Sequence, residues 1–217
     1  MTSEPVYARN VLELGSEPAG RFIIEGRGCT VRVGANVRLE ANVFMEPAVT
    51  NATLDIGDDC VIRGVIRFVG GDGASVHIGP RTTFNQVGIT SHEGGAITFG
   101  SDCMLSTDIH MDASDMHPIY DRATGERLNP PRDIEVGDHV WLGARVLVLK
   151  GARIGSGTIV GAGSMVAGTL PENALAAGSP AKVVRENVVW TREFGGPPEP
   201  QIDEAAPSGR GWPWRKG

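Results

Sequence analysis

The stretch GDHVWLGARVLVLKGARIGSGTIVGAGSMV, residues 137–166, decides the fold. With the residue before it, its aliphatics fall at Val136, Leu142, Val148, Ile154, Val160 and Val166, one every six positions. An α-helix repeats about every 3.6 residues and a strand about every 2, so neither asks for a period of six. A chain that turns a corner every six residues does. Three short strands then close one triangular coil, and successive coils stack as parallel sheets, the arrangement of a parallel β-helix. In most hexads a glycine follows the aliphatic, as at Gly137, Gly143, Gly155 and Gly161. Glycine is expected there to supply the tight or positive-φ geometry of the corners.

Upstream the same pattern reads less evenly. Its coils are placed at Val33, Leu39 and Met45; Ile56, Ile62 and Phe68; Ile78, Phe84 and Thr90; and Phe99, Leu105 and Met111. The extra residues between coils all follow the third hexad, so the excursions should leave from one edge of the prism and stack as a wall. They are EPAVTNATL (46–54), VGGDGAS (69–75), SHEGG (91–95) and DASDMHPIYDRATGERLNPPRD (112–133). Irregular loops on a rigid scaffold are a common seat of function. A solenoid also needs covered ends. The expected organisation is an N-terminal cap over 1–30, a β-helix over 31–170 with the 112–133 excursion, and a C-terminal cap over 171–194. A Pro/Gly-rich tail follows over 195–217, whose Trp212 and Trp214 could dock on a neighbour.

Composition agrees with an all-β chain of many corners. Glycine makes up 30 of the 217 residues, about twice the usual share of roughly 7%. Aromatics are only 6%. A net charge of −6 argues against a nucleic-acid partner. No segment has the length and apolarity of a signal peptide or membrane span, so a cytoplasmic protein is expected. Cys29, Cys60 and Cys103 form no C-x-x-C pair. Cys60 and Cys103 fall in a small inward slot of the repeat, and buried, inert thiols are the expectation.

Three segments together carry a more specific message: DMHPIYD in the long excursion, the hexads from Ile134 to Val166, and AAGSPAKVVRE (176–186). In order and spacing the chain resembles the hexapeptide-repeat O-acetyltransferases, in particular those acting on galactosides, maltose, xenobiotics and polysaccharides. The resemblance covers roughly residues 30 to 190 and implies a left-handed coil and a homotrimer with active sites between subunits. It implies direct transfer of an acetyl group from acetyl-CoA to a hydroxyl of a sugar or glycan, with a histidine as general base. Residue matching puts that role on His117.

The chemistry fits such a residue. An alcohol is too weak an acid to attack a thioester unaided at neutral pH. A neutral imidazole, with an ordinary pKa near 6.5, can take its proton as the C–O bond forms, typically worth about 10²–10⁴-fold. The oxyanion needs backbone N–H donors, and the Gly143–Ala144 corner is where the resemblance places cofactor contacts. It further implies that the pantetheine arm runs past Trp141, Gly143, Ala144 and Ala162, with Lys182 and Arg185 at the nucleotide end. Where relatives often carry a lysine after the last repeat, this chain has Ala167 and Gly168.

Asn85 and Glu93 are the candidates for touching the acceptor, and Glu93, Asp112 and Asp115 lie where a carboxylate could orient the base. His92 and His110 flank the excursion edge and could line a pocket. His77 and His139 read as outward surface residues. No metal is expected. Two alternatives stand beside the transferase: a γ-class carbonic-anhydrase-like metalloenzyme using His92, His110 and His117, and a non-catalytic β-helix scaffold.

Overall fold

The structure is a computed structural model that describes residues 9–195. The tail beyond 195, with Trp212 and Trp214, lies outside the described residues. The fold is a left-handed parallel β-helix of triangular section, and among the described residues none is helical. No helix there is long and apolar enough to cross a membrane.

The first face is an eight-stranded sheet. Its inward column runs Val33, Ile56, Ile78, Phe99, Val136, Ile154 and Leu170, with the exposed Leu14 in register at the open end. The second face stacks Leu39, Ile62, Phe84, Leu105, Leu142, Val160 and Ala176. The third stacks Val43, Ile66, Ile89, Met111, Val148 and Val166. All three columns meet in one dry core, in which Phe68, Phe84, Leu39 and Met45 are among the largest fully buried side chains. Each buried aliphatic contributes about 1.5–3 kcal/mol relative to exposure. Repeating that contact in every coil is what makes six residues a stable unit.

Two expectations from the pattern are corrected. The third-face column contains Val43, Ile66 and Ile89 rather than Met45, Phe68 and Thr90. In the later coils six residues lead from the second column to the third, as from Leu142 to Val148, but only four lead from Leu39 to Val43 or from Ile62 to Ile66. Met45 and Phe68 are buried because they are the next inward positions of the same strands. Thr90 points the other way, and Ile89 takes the core position. The tight corner of the second coil falls inside one strand, Val61–Val69. At that corner Gly64 adopts φ +121°, and a Cβ there would collide with the Val87 carbonyl oxygen.

The hexad glycines also act differently from the expectation. Gly137 does not have positive φ; it lets the next coil approach, since a Cβ on it would sit 2.7 Å from the Ser156 amide nitrogen. The left-handed residue comes two positions later, in a stacked column of Asn36, Asp59, Arg81, Asp102, His139, Gly157 and Asn173. Asn, Asp and Gly, the residues that tolerate this region best, fill five of those seven corners.

The excursions do stack. Val49–Thr50 pairs in parallel with Gly71–Asp72, and the Asp72 carboxylate accepts from Thr50 and Asn51 at 2.6 and 2.7 Å. At the N-terminal end, Val11–Leu14 and Phe22–Ile24 already pair with the next coil, so the residues expected as a cap begin the solenoid itself. At the other end the chain reverses after Leu175–Gly178 and lays Ala181–Arg185 antiparallel upon it.

Candidate active site

The longest excursion, between Asp112 and Ile134, carries His117. Its root is tied to the prism through Glu93, whose carboxylate accepts from Ser114 Oγ and Arg127 Nη2, both at 2.8 Å. The Arg127 guanidinium holds the Glu93 carboxyl below its usual range, against the opposing effect of desolvation and with help from Ser114. Next to this pair, the buried Nδ1 of His92 and Nε of Arg127 have no hydrogen-bond partner among the described residues. His92 Nδ1 is 3.9 Å from the Glu93 carboxylate.

Further along, Met116 takes φ +64°, and its N–H donates to Ser114 Oγ at 3.0 Å. The next residue, His117, donates its own N–H to the Asp115 carbonyl at 2.7 Å. The His117 side chain is exposed and its ring makes no hydrogen bond among the described residues. Both ring nitrogens are therefore open to a substrate. Asp115, one of the candidate orienting carboxylates, is bound instead to Lys150 Nζ at 2.7 Å and Asn129 Nδ2 at 2.8 Å. Those two contacts, Lys150 first, draw its carboxyl below the usual range.

A second feature lies on the second face. Trp141, Gly143, Ala144, Ala162 and Arg185 line one groove of about 700 Å³. Its floor is the outward column of Trp141, Ile159 and Leu175, stacked coil on coil. Trp141 is 37% exposed there. The Ala144 and Ala162 amides, one coil apart at the groove's corner, donate to nothing among the described residues. The far wall is a strap, Asn187, Val188, Val189 and Trp190, that sequence reasoning missed. It belongs to no repeat, and its signal was an aromatic and an arginine just past the last hexad.

The strap is fastened at three points, the first being the Val188 N–H, which donates to the Asn173 carbonyl at 2.9 Å. Trp190 Nε1 donates to the His139 carbonyl at 2.9 Å. Arg192 reaches Asp102 Oδ1 at 2.7 Å, Thr83 Oγ1 at 2.9 Å and the carbonyls of Cys103 and Arg81 at 2.8 and 3.2 Å. His139 is thus no idle surface residue: its Nδ1 lies 2.6 Å from Asp102 Oδ2 and its Nε2 3.0 Å from the Trp190 carbonyl.

The other candidates separate. Lys182 is exposed on the strand that ends at Arg185, pairs across from Ala177, and does not line the groove. Asn85 is exposed at the corner between the second and third faces, where the register shifts. Glu93 lies at the next corner, so a single chain does not bring these two together. His110 points outward on the third face beside Asp108 and Thr90, Asp112 is half-buried at the foot of the loop, and His77 pairs with Asp55 at 3.0 Å. Nor do His117 and the groove meet within one chain, since the loop leaves from the edge between the third and first faces. Among the described residues, no three His, Cys, Asp or Glu side chains gather as a metal-ligand set.

Comparison with known proteins agrees with this architecture. The bacterial transferase hexapeptide family (six repeats) matches residues 133–168. A polysialic acid O-acetyltransferase of Neisseria meningitidis is 40% identical over 170 residues, covering 78% of this chain and 74% of that protein. A polysialic acid O-acetyltransferase of Escherichia coli O1:K1 is 39% identical over 120 residues, which cover 55% of this chain but only 39% of that protein. The crystal structure of the polysialic acid O-acetyltransferase OatWY superposes with a TM-score of 0.78 at 32% identity, covering 90% of this chain and 95% of that one. With its stacked hexads and this extent of likeness, the chain belongs to the hexapeptide-repeat acyltransferase family and is an O-acetyltransferase-type enzyme of that family.

Proposed function

We propose that this enzyme transfers the acetyl group of acetyl-CoA directly to a hydroxyl of a sialic acid polymer or a related acidic glycan, with His117 as general base. The observation that carries the reading is the pairing of two features: an exposed imidazole with both nitrogens open, on a pinned loop, and an apolar groove with unpaired backbone donors. The groove suits a long, thin cosubstrate. Trp141, Ile159 and Leu175 supply apolar contact for the pantetheine arm, the free N–H groups of Ala144 and Ala162 match its amide carbonyls, and Arg185 offers a cation to the phosphates. Lys182, on the same strand, would reach phosphates from outside the groove.

In the reaction the acceptor oxygen attacks the thioester carbonyl as an imidazole nitrogen of His117 takes its proton. The tetrahedral oxyanion collapses, the C–S bond breaks, and the imidazolium returns the proton to the leaving sulfur. The products are an acetyl ester and free CoA, with no enzyme-bound acyl group. Because loop and groove occupy different edges of one prism, we place the working site between subunits of a homotrimer. His117 of one subunit then faces the groove of the next. The outward apolar residues Trp141 and Leu147, 37% and 43% exposed in one chain, support such a contact. The first face, by contrast, presents the polar column Glu13, Arg32, Asp55 and His77 and stays in solvent. Asn85 and Glu93 come to the acceptor only if different subunits supply them.

The test is a panel of acceptors incubated with acetyl-CoA and the purified enzyme, with products read by mass spectrometry. Acetylated polysialic acid supports the assignment. Thioester consumption with galactosides but not sialic acid polymers keeps the chemistry and overturns the acceptor. No consumption with any hydroxyl acceptor overturns both.

A further inference from the structure

The turn that carries His117 is clamped by one buried side chain. Asn129 is only 9% exposed. Its Oδ1 accepts the Ile119 N–H at 2.5 Å, and its Nδ2 donates to Asp115 Oδ2 at 2.8 Å and to the His117 carbonyl at 2.9 Å. One amide thus grips the backbone on both sides of Pro118 and the carboxylate two residues before the imidazole. The Asp115 carboxylate passes the restraint on to Lys150, whose ammonium also donates to the Pro130 carbonyl at 3.1 Å. Lys150 directly follows the third-face strand Leu147–Leu149. The His117 turn is thereby referenced to a fixed coil of the prism.

We infer that Asn129, acting through Asp115 and Lys150, is the positioning residue of the His117 base. This rests on the reading of His117 given above. A left-handed Met116 immediately before the histidine fits the same purpose. A non-glycine residue keeps that conformation where surrounding contacts over-determine it. His117's own ring has no hydrogen-bond partner among the described residues, so its aim depends on its backbone. A base must come within hydrogen-bond reach of the proton it removes, and misplacement by about 1 Å can lower a rate by about 10²-fold.

Asn129→Asp tests this with little change of shape. It keeps an acceptor for Ile119 but replaces the donor facing Asp115 and the His117 carbonyl with a carboxylate oxygen. The expected result is a kcat lowered by about 10²-fold with KM for acetyl-CoA unchanged. The backbone order parameter at His117 should fall from about 0.85 to below 0.6, a readout that needs no acceptor. Unchanged kcat and order in Asn129→Asp would overturn the inference. A parallel rise in KM for acetyl-CoA would also overturn it, as the mark of general damage. If Asn129→Asp does not fold, Lys150→Met carries the same test with the same expected split. His117→Ala assayed alongside separates the two levels. If it is inactive and Asn129→Asp is fully active, only the positioning role fails; if His117→Ala is active, the base assignment itself fails.

Discussion

The indole of Trp190 lies flat on the imidazole of His139, with ring centroids 4.0 Å apart and planes 8° from parallel. The two residues are far apart in sequence, and their contact closes the groove on the second face. Both nitrogens of His139 face acceptors, the Asp102 carboxylate and the Trp190 carbonyl; a neutral ring donates to only one of them. Arg192 completes the fastening. Its charge-assisted bonds to the corner column hold a strap that no hexad supports.

Removing that fastening should loosen the groove without unfolding the prism. Arg192→Ala is expected to weaken acetyl-CoA binding by about tenfold, the value of one or two charge-assisted hydrogen bonds, with the thermal midpoint little changed. Titration calorimetry beside a melting curve checks it. An unchanged Kd would mean that the strap is not a wall of the cofactor site.

The loop root should respond to acid. Glu93 ionises more readily in the folded state than its usual value near 4.3, so its contribution to stability is present above that value and is lost as pH falls through the lower folded pKa. Protection against hydrogen exchange across residues 113–133, taken relative to the intrinsic rate at each pH, should therefore fall as pH drops below about 4. In Glu93→Gln the loop should exchange faster at neutral pH and show less of the acid step. The same acid step in both proteins would detach it from Glu93.

Gly64 should tolerate no side chain. A methyl group there meets the Val87 backbone at a φ that L-residues rarely adopt. Gly64→Ala is expected to cost about 2–4 kcal/mol, measured by denaturant titration, whereas Gly168→Ala, with open space around it, should cost little. Equal midpoints for the two would contradict the tight-corner account.

The cysteines should be silent. Burial pushes the Cys103 thiol up to about 11, and desolvation raises Cys29 and Cys60 as well. A thiolate-specific reagent should find no reactive cysteine in the native protein and three after unfolding. Rapid modification of the folded protein would show that a coil opens.

What could be read beforehand followed the repeat. From Val136 to Val166 every corner takes the same number of residues, so the inward column is visible as a plain period. In the first coils the tightened corners at Glu40–Asn42 and Arg63–Val65 remove two residues. The slip is hidden because strand alternation makes both Val43 and Met45 buried. The column of left-handed corners was misread for a related reason: the glycine after each aliphatic marks the place where coils approach closely, while the residue two positions on (Asn, Asp, Arg81, His139 or Gly157) carries the positive φ. His117 and the groove residues Trp141, Gly143, Ala144, Ala162 and Arg185 could be singled out because they sit in short motifs or in hexads. Asn129, Lys150 and the strap from Asn187 to Arg192 were not, because their roles come from contacts between segments that share no period.

The most direct measurement is CoA release from acetyl-CoA with polysialic acid as acceptor, comparing wild type with His117→Ala while calorimetry follows acetyl-CoA binding to both. The account predicts that the variant binds acetyl-CoA like wild type yet releases CoA about 10²–10⁴-fold more slowly. A variant that binds normally and keeps half the wild-type rate would contradict it.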